Sequence, residues 1–339
     1  MGIFKIGIVD MIKNQRIGYI SLASVLSAIA VVFLHANECA GTFSFARWWF
    51  TSNIIHSIFI FAVPLFFMIS GAMLLDFNKK YSLKTYFSKR IHKTVIPYIF
   101  WSIIGILFQV FYLNTVSNID LAYIYNCFVT GNAIIVYWFF IPLFELYILF
   151  PIFSRFVDTK KHCFRFLILL FLINLISNFF NIVIIGYSFF AVFGFYVHKY
   201  GVPRKIRLFI YILAILGFLA NTFGSYYLSI TAGKLIRTYI NYTFLPAMLY
   251  PCGLCVFIKY DLVKIMENKY INKLVLFLDF YTFGIFLIHY YILQILIKSF
   301  NINIHSIIFR LGSPFVVIGI SVLIIYIQRK IPLLKEFVP

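Results

Sequence analysis

Runs of about twenty apolar residues recur along this chain, and the basic residues gather in the short segments between them. A run of that length spans a bilayer as a helix, because only a helix satisfies its own backbone polar groups in hydrocarbon. Of the 339 residues, 63% are apolar and 12% are charged. A soluble domain carries about 25% charged residues. The fold class is therefore all-α, a polytopic integral membrane protein. No stretch is long and polar enough for a separate soluble domain, so residues 1–339 form one transmembrane domain.

Spans are expected near 17–36, 54–75, 95–113, 134–154, 164–181, 183–198, 207–227, 239–258, 274–297 and 307–328. Asn174, Asn178, Asn181 and Gly186 interrupt the region of the fifth and sixth. Lys and Arg then alternate between the connecting segments. One set of connections, with the N-terminal segment and the tail, holds 24 of the 29. The other set holds Arg47, Lys234, Arg237, Lys298 and Arg310. Positively charged connections stay in the cytoplasm, which predicts about ten helices with both termini cytoplasmic. The net charge of +19 lies in these short loops, so it argues for topology and against a nucleic-acid partner. The basic start at Lys5, Lys13 and Arg16 precedes a run too long for a signal peptide, and a retained first helix is expected. Ile6 stands where a myristoylation signal needs Ser or Thr.

Five cysteines form no framework. Cys252 and Cys255 have C-x-x-C spacing inside an apolar span with no second pair, so no metal is expected. Cys39 and Cys127 are both expected outside, where a disulfide has no further support.

Ionisable residues inside the spans are the informative exceptions. A full charge at mid-membrane costs roughly 2.5–3.5 kcal/mol on insertion scales, so such residues mark candidate sites. His35 lies 18 residues into the first span, about 27 Å from its cytoplasmic boundary. His289 and His56 also fall near the outer face, and Glu38 follows His35 by three residues, on its side if the helix continues. Glu145 falls at mid-membrane, where a carboxylate must be paired, protonated or wet, as in a tunnel for the acyl chain or acceptor. Lys89, Arg90 and Lys93 form a basic segment before Pro97 and suit phosphate, Arg as a planar fork and Lys as a point charge. Each has an ordinary alternative: packing or interfacial histidines, a solvated loop acid, positive-inside topology.

Four stretches in order resemble one family: 28–35 (AIAVVFLH), 63–75 (VPLFFMISGAMLL), 86–101 (YFSKRIHKTVIPYIFW) and 283–289 (FGIFLIH). Residues 138–151, opening on Trp138, add a weaker fifth. Together they are similar to bacterial acyltransferase family 3, integral membrane O-acyltransferases of about ten spans. The resemblance implies transfer of an acyl group, usually acetyl, from acyl-CoA to a sugar hydroxyl. The acceptor is a cell-surface polysaccharide or a lipid-linked glycan precursor, at the bacterial inner (plasma) membrane. It implies His35 as the catalytic residue and Lys89, Arg90 and Lys93 as the acyl-CoA-binding element. Glu38 and His289 are the candidates to assist His35, and Glu145 and Trp138 to line a tunnel or acceptor site. Acyl-CoA is the expected co-substrate. Most members carry an Asp and an Arg in the first helix, where this chain has Ser21 and Ser24. The rival classes are a transporter or flippase of lipid-linked sugars and a polysaccharide polymerase. The absence of a clear inverted repeat and the modest outer loops weigh against them.

Overall fold

A computed structural model describes residues 18–116, 119–179 and 186–339. The basic N-terminal segment and the 180–185 junction lie outside the described residues. All regular structure among the described residues is helical. The helices are α1 (Gly18–Ala36), α2 (Arg47–Phe59), α3 (Ala62–Leu74), α4 (Leu83–Arg90), α5 (Ile96–Phe108), α6 (Leu121–Thr130) and α7 (Phe140–Phe153). After these come α8 (Lys160–Phe179), α9 (Ser188–Tyr200), α10 (Arg204–Ala232), α11 (Leu245–Tyr260), α12 (Lys269–Asp279), α13 (Thr282–Ser299) and α14 (Ile307–Lys330).

Seven helical segments among the described residues are long and apolar enough to cross a membrane. They are Gly18–Ala36, Arg47–Lys79, Leu83–Leu113, Ile135–Phe153, Arg204–Ala232, Thr282–Ser299 and Ile307–Lys330. Helices α8, α9 and α11 occupy the remaining expected stretches; α9 and α11 are short, and α8 opens on Lys160, Lys161 and Arg165.

Three expected boundaries shift. The second span begins at Arg47 rather than 54 and is interrupted at Ile60 and Phe61. The third begins at Leu83, because α4 runs into α5 through a π-helical segment, Ile91–Val95. The expected 274–297 span is two helices, α12 and α13, separated at Phe280 and Tyr281. Residues 54–75 and 274–297 are largely apolar through the interruptions at 60–61 and 280–281, so the sequence shows no change of period where the axis breaks.

Helix α1 lies at the centre and packs against α2, α3, α11, α12, α13 and α14. Its small residues Ser21, Ala23, Ser27, Ala28 and Ala30 are buried and let neighbouring backbones approach. The closest approach joins α3 and α9. A Cβ on Gly71 would meet the Ala191 carbonyl oxygen at 1.9 Å, and one on Gly194 would meet that of Met68 at 2.2 Å. Gly71 belongs to the 63–75 stretch, so packing alone explains a glycine there. The outward faces of α10 and α14 expose Phe209, Ile215, Phe223, Ile308, Phe315 and Leu323, which suits contact with lipid.

Helices α1 and α13 run parallel and in register. Ser21 donates to Asp279 Oδ2 at 2.8 Å, and the Ser24 and Thr282 hydroxyls are 3.1 Å apart. Further along, the His35 and His289 rings are 5.4 Å apart, and Gln294 reaches Glu38. This pairing places the candidate site at the end of the bundle poor in Lys and Arg. The basic segment lies at the other end.

Candidate active site

Helix α1 ends one residue beyond His35. Asn37 leaves helical geometry at φ −110° and ψ 30°, and a 3-10 turn, Glu38–Gly41, follows. The helix does not continue, as the sequence reading required for Glu38 to sit beside His35. The turn brings it there instead: His35 Nδ1 and Glu38 Oε1 are 3.5 Å apart. That separation is long for a hydrogen bond, as often precedes ligand binding. With Nδ1–H directed at the carboxylate, the imidazole lone pair lies on Nε2. Gln294 Nε2 donates to Glu38 Oε2 at 3.5 Å and holds the carboxylate from its other side. The Tyr290 ring meets His35 edge-on at 5.8 Å.

His289 is fully buried behind His35. Its Nδ1 donates to the carbonyls of Ile285, at 3.0 Å, and Phe286, at 2.8 Å, in its own helix. This fixes the tautomer with Nε2 as the acceptor, and Nε2 has no partner. A histidine so placed packs against the His35 imidazole and holds its own proton still.

The turn is held by Asn37 and Arg310, neither of which stood out in the sequence as a site residue. Asn37 Nδ2 donates to the Ser52 carbonyl at 2.8 Å. Arg310 is 1% exposed and has no carboxylate partner among the described residues. Its Nη1 donates to Ser52 Oγ at 2.7 Å, the Trp48 carbonyl at 3.3 Å and Asn37 Oδ1 at 3.4 Å. Its Nη2 donates to Thr51 Oγ1 at 2.8 Å and the His305 carbonyl at 3.1 Å. These bonds tie α14 and α2 to Asn37, one of the two residues between His35 and Glu38.

His35 and Glu38 open on a cavity of about 1210 Å³. His56, Asn53, Trp138, Arg237 and Tyr242 also line it. Trp138 and Tyr242 stack at 6.1 Å and 26°. The volume exceeds the usual range of about 300–1,000 Å³ for a small-molecule site, leaving room for a large ligand. His289 and Glu145 are not on its wall. Glu145 is exposed on α7. All five cysteines are buried thiols, and no disulfide joins Cys39 and Cys127. Among the described residues no group of three His, Cys, Asp or Glu side chains could hold a metal ion.

The basic segment sits at the opposite end. Lys89 Nζ lies 4.2 Å from the centroid of the Tyr81 ring, and Arg90 Cζ lies 5.7 Å from that of Tyr147. Arg90 Nε is buried without a partner, while Lys93 is exposed on the π-helical segment. Single-turn π segments often occur at functional sites. The chain end packs here too: Phe337 stacks on Phe100 at 4.0 Å, and Trp101 Nε1 donates to the Phe337 carbonyl at 3.0 Å. Along α1, the segment from Gly18 to His35 rises about 26 Å, so the structure does not bring Arg90 and His35 together.

Residues 17–327 match the family model of the acyltransferase domain known as acyltransferase 3. The chain belongs to acyltransferase family 3. The match covers nearly all of the chain, including both ends of the bundle, and identifies a multi-pass membrane acyltransferase. No curated protein and no solved structure matches it.

Proposed function

We propose that this acyltransferase 3 member moves an acyl group, acetyl in the simplest case, from acyl-CoA to a sugar hydroxyl. The acceptor belongs to a cell-surface polysaccharide or its lipid-linked precursor, and the protein resides in the bacterial inner membrane with both termini in the cytoplasm. The observation that carries this reading is the His35–Glu38 pair opening on a cavity large enough for a glycan.

In this reading His35 Nε2 takes the proton of the acceptor hydroxyl as its oxygen attacks the thioester carbonyl. The ester C–O bond forms, the C–S bond breaks, and the imidazolium returns its proton to the departing thiolate. Glu38 steadies the transient imidazolium and keeps Nδ1 protonated. Arg90, with Lys89 and Lys93, holds the coenzyme's phosphates at the basic end. Before the attack, the acyl group reaches His35 still joined to the coenzyme as its thioester, with the pantetheine arm threading the helix bundle.

The test is incubation of purified protein with labelled acetyl-CoA and a panel of bacterial glycans and lipid-linked sugars. Label transferred to a hydroxyl supports the reading. Movement of an unmodified lipid-linked sugar across vesicles, with no label transferred, would replace it with a transport function. A reporter fused after Pro339 is expected to report a cytoplasmic location.

A further inference from the structure

The cavity beside His35 contains a cation that the transfer step leaves unused. Arg237 lies between α10 and α11, lines the cavity and is exposed. It forms no hydrogen bond or salt bridge with any described residue. A Cβ built on Gly41 would lie 3.9 Å from Arg237 Nη2, which sets the guanidinium against the turn that carries Glu38. The other titratable groups on the wall are His35, Glu38, His56 and the Tyr242 phenol. Arg237 forms no ion pair with Glu38, whose two carboxylate oxygens face His35 and Gln294. His56 Nδ1 is buried without a partner. Asn53 and Asn241 add amides to the same wall.

We propose that Arg237 is an anion subsite for the acceptor. It binds an oxyanion of the glycan, a uronic carboxylate or the phosphate of a lipid-linked precursor, and so orients the reacting hydroxyl toward His35. This rests on the acceptor reading given above. The planar guanidinium presents its N–H donors as a fork that matches paired oxyanion oxygens. Its attraction strengthens as the glycan fills the cavity and displaces water. The Trp138 and Tyr242 rings offer flat apolar faces to the sugar beside the anion.

The test measures binding to purified protein in a neutral detergent by calorimetry, so no turnover is needed. The probes are a neutral disaccharide, the same disaccharide carrying one uronic carboxylate, and a short prenyl-diphosphate-linked monosaccharide. Wild-type protein is expected to bind one anionic probe at least about tenfold more tightly than the neutral one. The preferred probe identifies the source of the oxyanion. Arg237→Gln should erase that preference, Arg237→Lys should retain part of it, and Lys234→Gln, off the cavity wall, should leave it intact. Equal affinity of wild type for all three probes overturns the proposal. So does a preference that survives Arg237→Gln. Arg237-dependent binding without acyl transfer keeps the anion subsite and overturns the transferase reading instead.

Discussion

Ser21 donates a 2.8 Å hydrogen bond to Asp279 Oδ2, bridging the central helix to the residue that ends α12. Most family members are expected to carry an acidic residue and an arginine on the first helix, where this chain has Ser21 and Ser24. Here the carboxylate facing that region comes from Asp279, and Ser24 pairs with Thr282 one turn further along. The two serines lock α1 to the start of α13, and the same parallel register sets His35 beside His289 and Glu38 beside Gln294. Ser21→Ala removes a hydrogen bond to a charged group, worth about 1.5–3 kcal/mol. The expected outcome is a lower melting temperature in detergent with transfer activity largely retained. A fully stable Ser21→Ala protein would show that helix packing alone sets the register.

The helices and part of the candidate site were legible in the sequence, for separable reasons. Long apolar runs specify membrane helices through length alone. His35 and Glu38 stood out because ionisable groups at the end of such a run are costly. Arg237 and Arg310 looked alike, as two of the few cations outside the basic connections. The structure separates them: Arg310 is buried in five hydrogen bonds, and Arg237 faces a cavity. That difference arises from packing between distant segments, which periodicity does not encode. The Phe280–Tyr281 break was hidden because residues 274–297 read as one apolar run.

Arg310 is expected to matter for catalysis without touching a substrate. Arg310→Met leaves the Asn37, Ser52 and Thr51 side chains and two carbonyls short of a donor. The cost is about 1–3 kcal/mol of stability for groups left unsatisfied. Because Asn37 lies between His35 and Glu38, kcat should fall while the KM for acyl-CoA stays at its wild-type value. Arg310→Lys should restore part of kcat. Equal losses in kcat and acyl-CoA binding, measured by steady-state kinetics, would point to general misfolding.

Arg90 is expected to act on the donor alone. Its guanidinium is held over Tyr147 with Nε lacking a partner. A charge-assisted contact to phosphate is worth about 1.5–3 kcal/mol, so Arg90→Ala should weaken acyl-CoA binding about tenfold or more. Lys93→Ala should shift affinity in the same direction by less, because Lys acts as a point charge. Equilibrium binding of acetyl-CoA checks both variants. Unchanged affinity in a folded Arg90→Ala protein would leave the basic segment with its topological role only.

His35→Ala should abolish acyl transfer in a protein that still inserts and melts near the wild-type temperature. Removing a general base typically costs about 10²–10⁴-fold in rate. Glu38→Gln should cost less: the amide still accepts from Nδ1–H, but its neutral oxygen no longer stabilises the imidazolium. His289→Gln is expected to lower kcat modestly, because the His289 side chain sits against the His35 ring and is fixed by its own helix carbonyls. The order of rates should therefore run from wild type through His289→Gln and Glu38→Gln to His35→Ala, with acyl-CoA affinity constant throughout. The variants are compared by single-turnover transfer from labelled acetyl-CoA. If His35→Ala turned over at the wild-type rate, the imidazole would be a packing residue and the proton would have to leave the acceptor hydroxyl by another group on the cavity wall. His56, the other histidine lining that cavity, would be the first to replace.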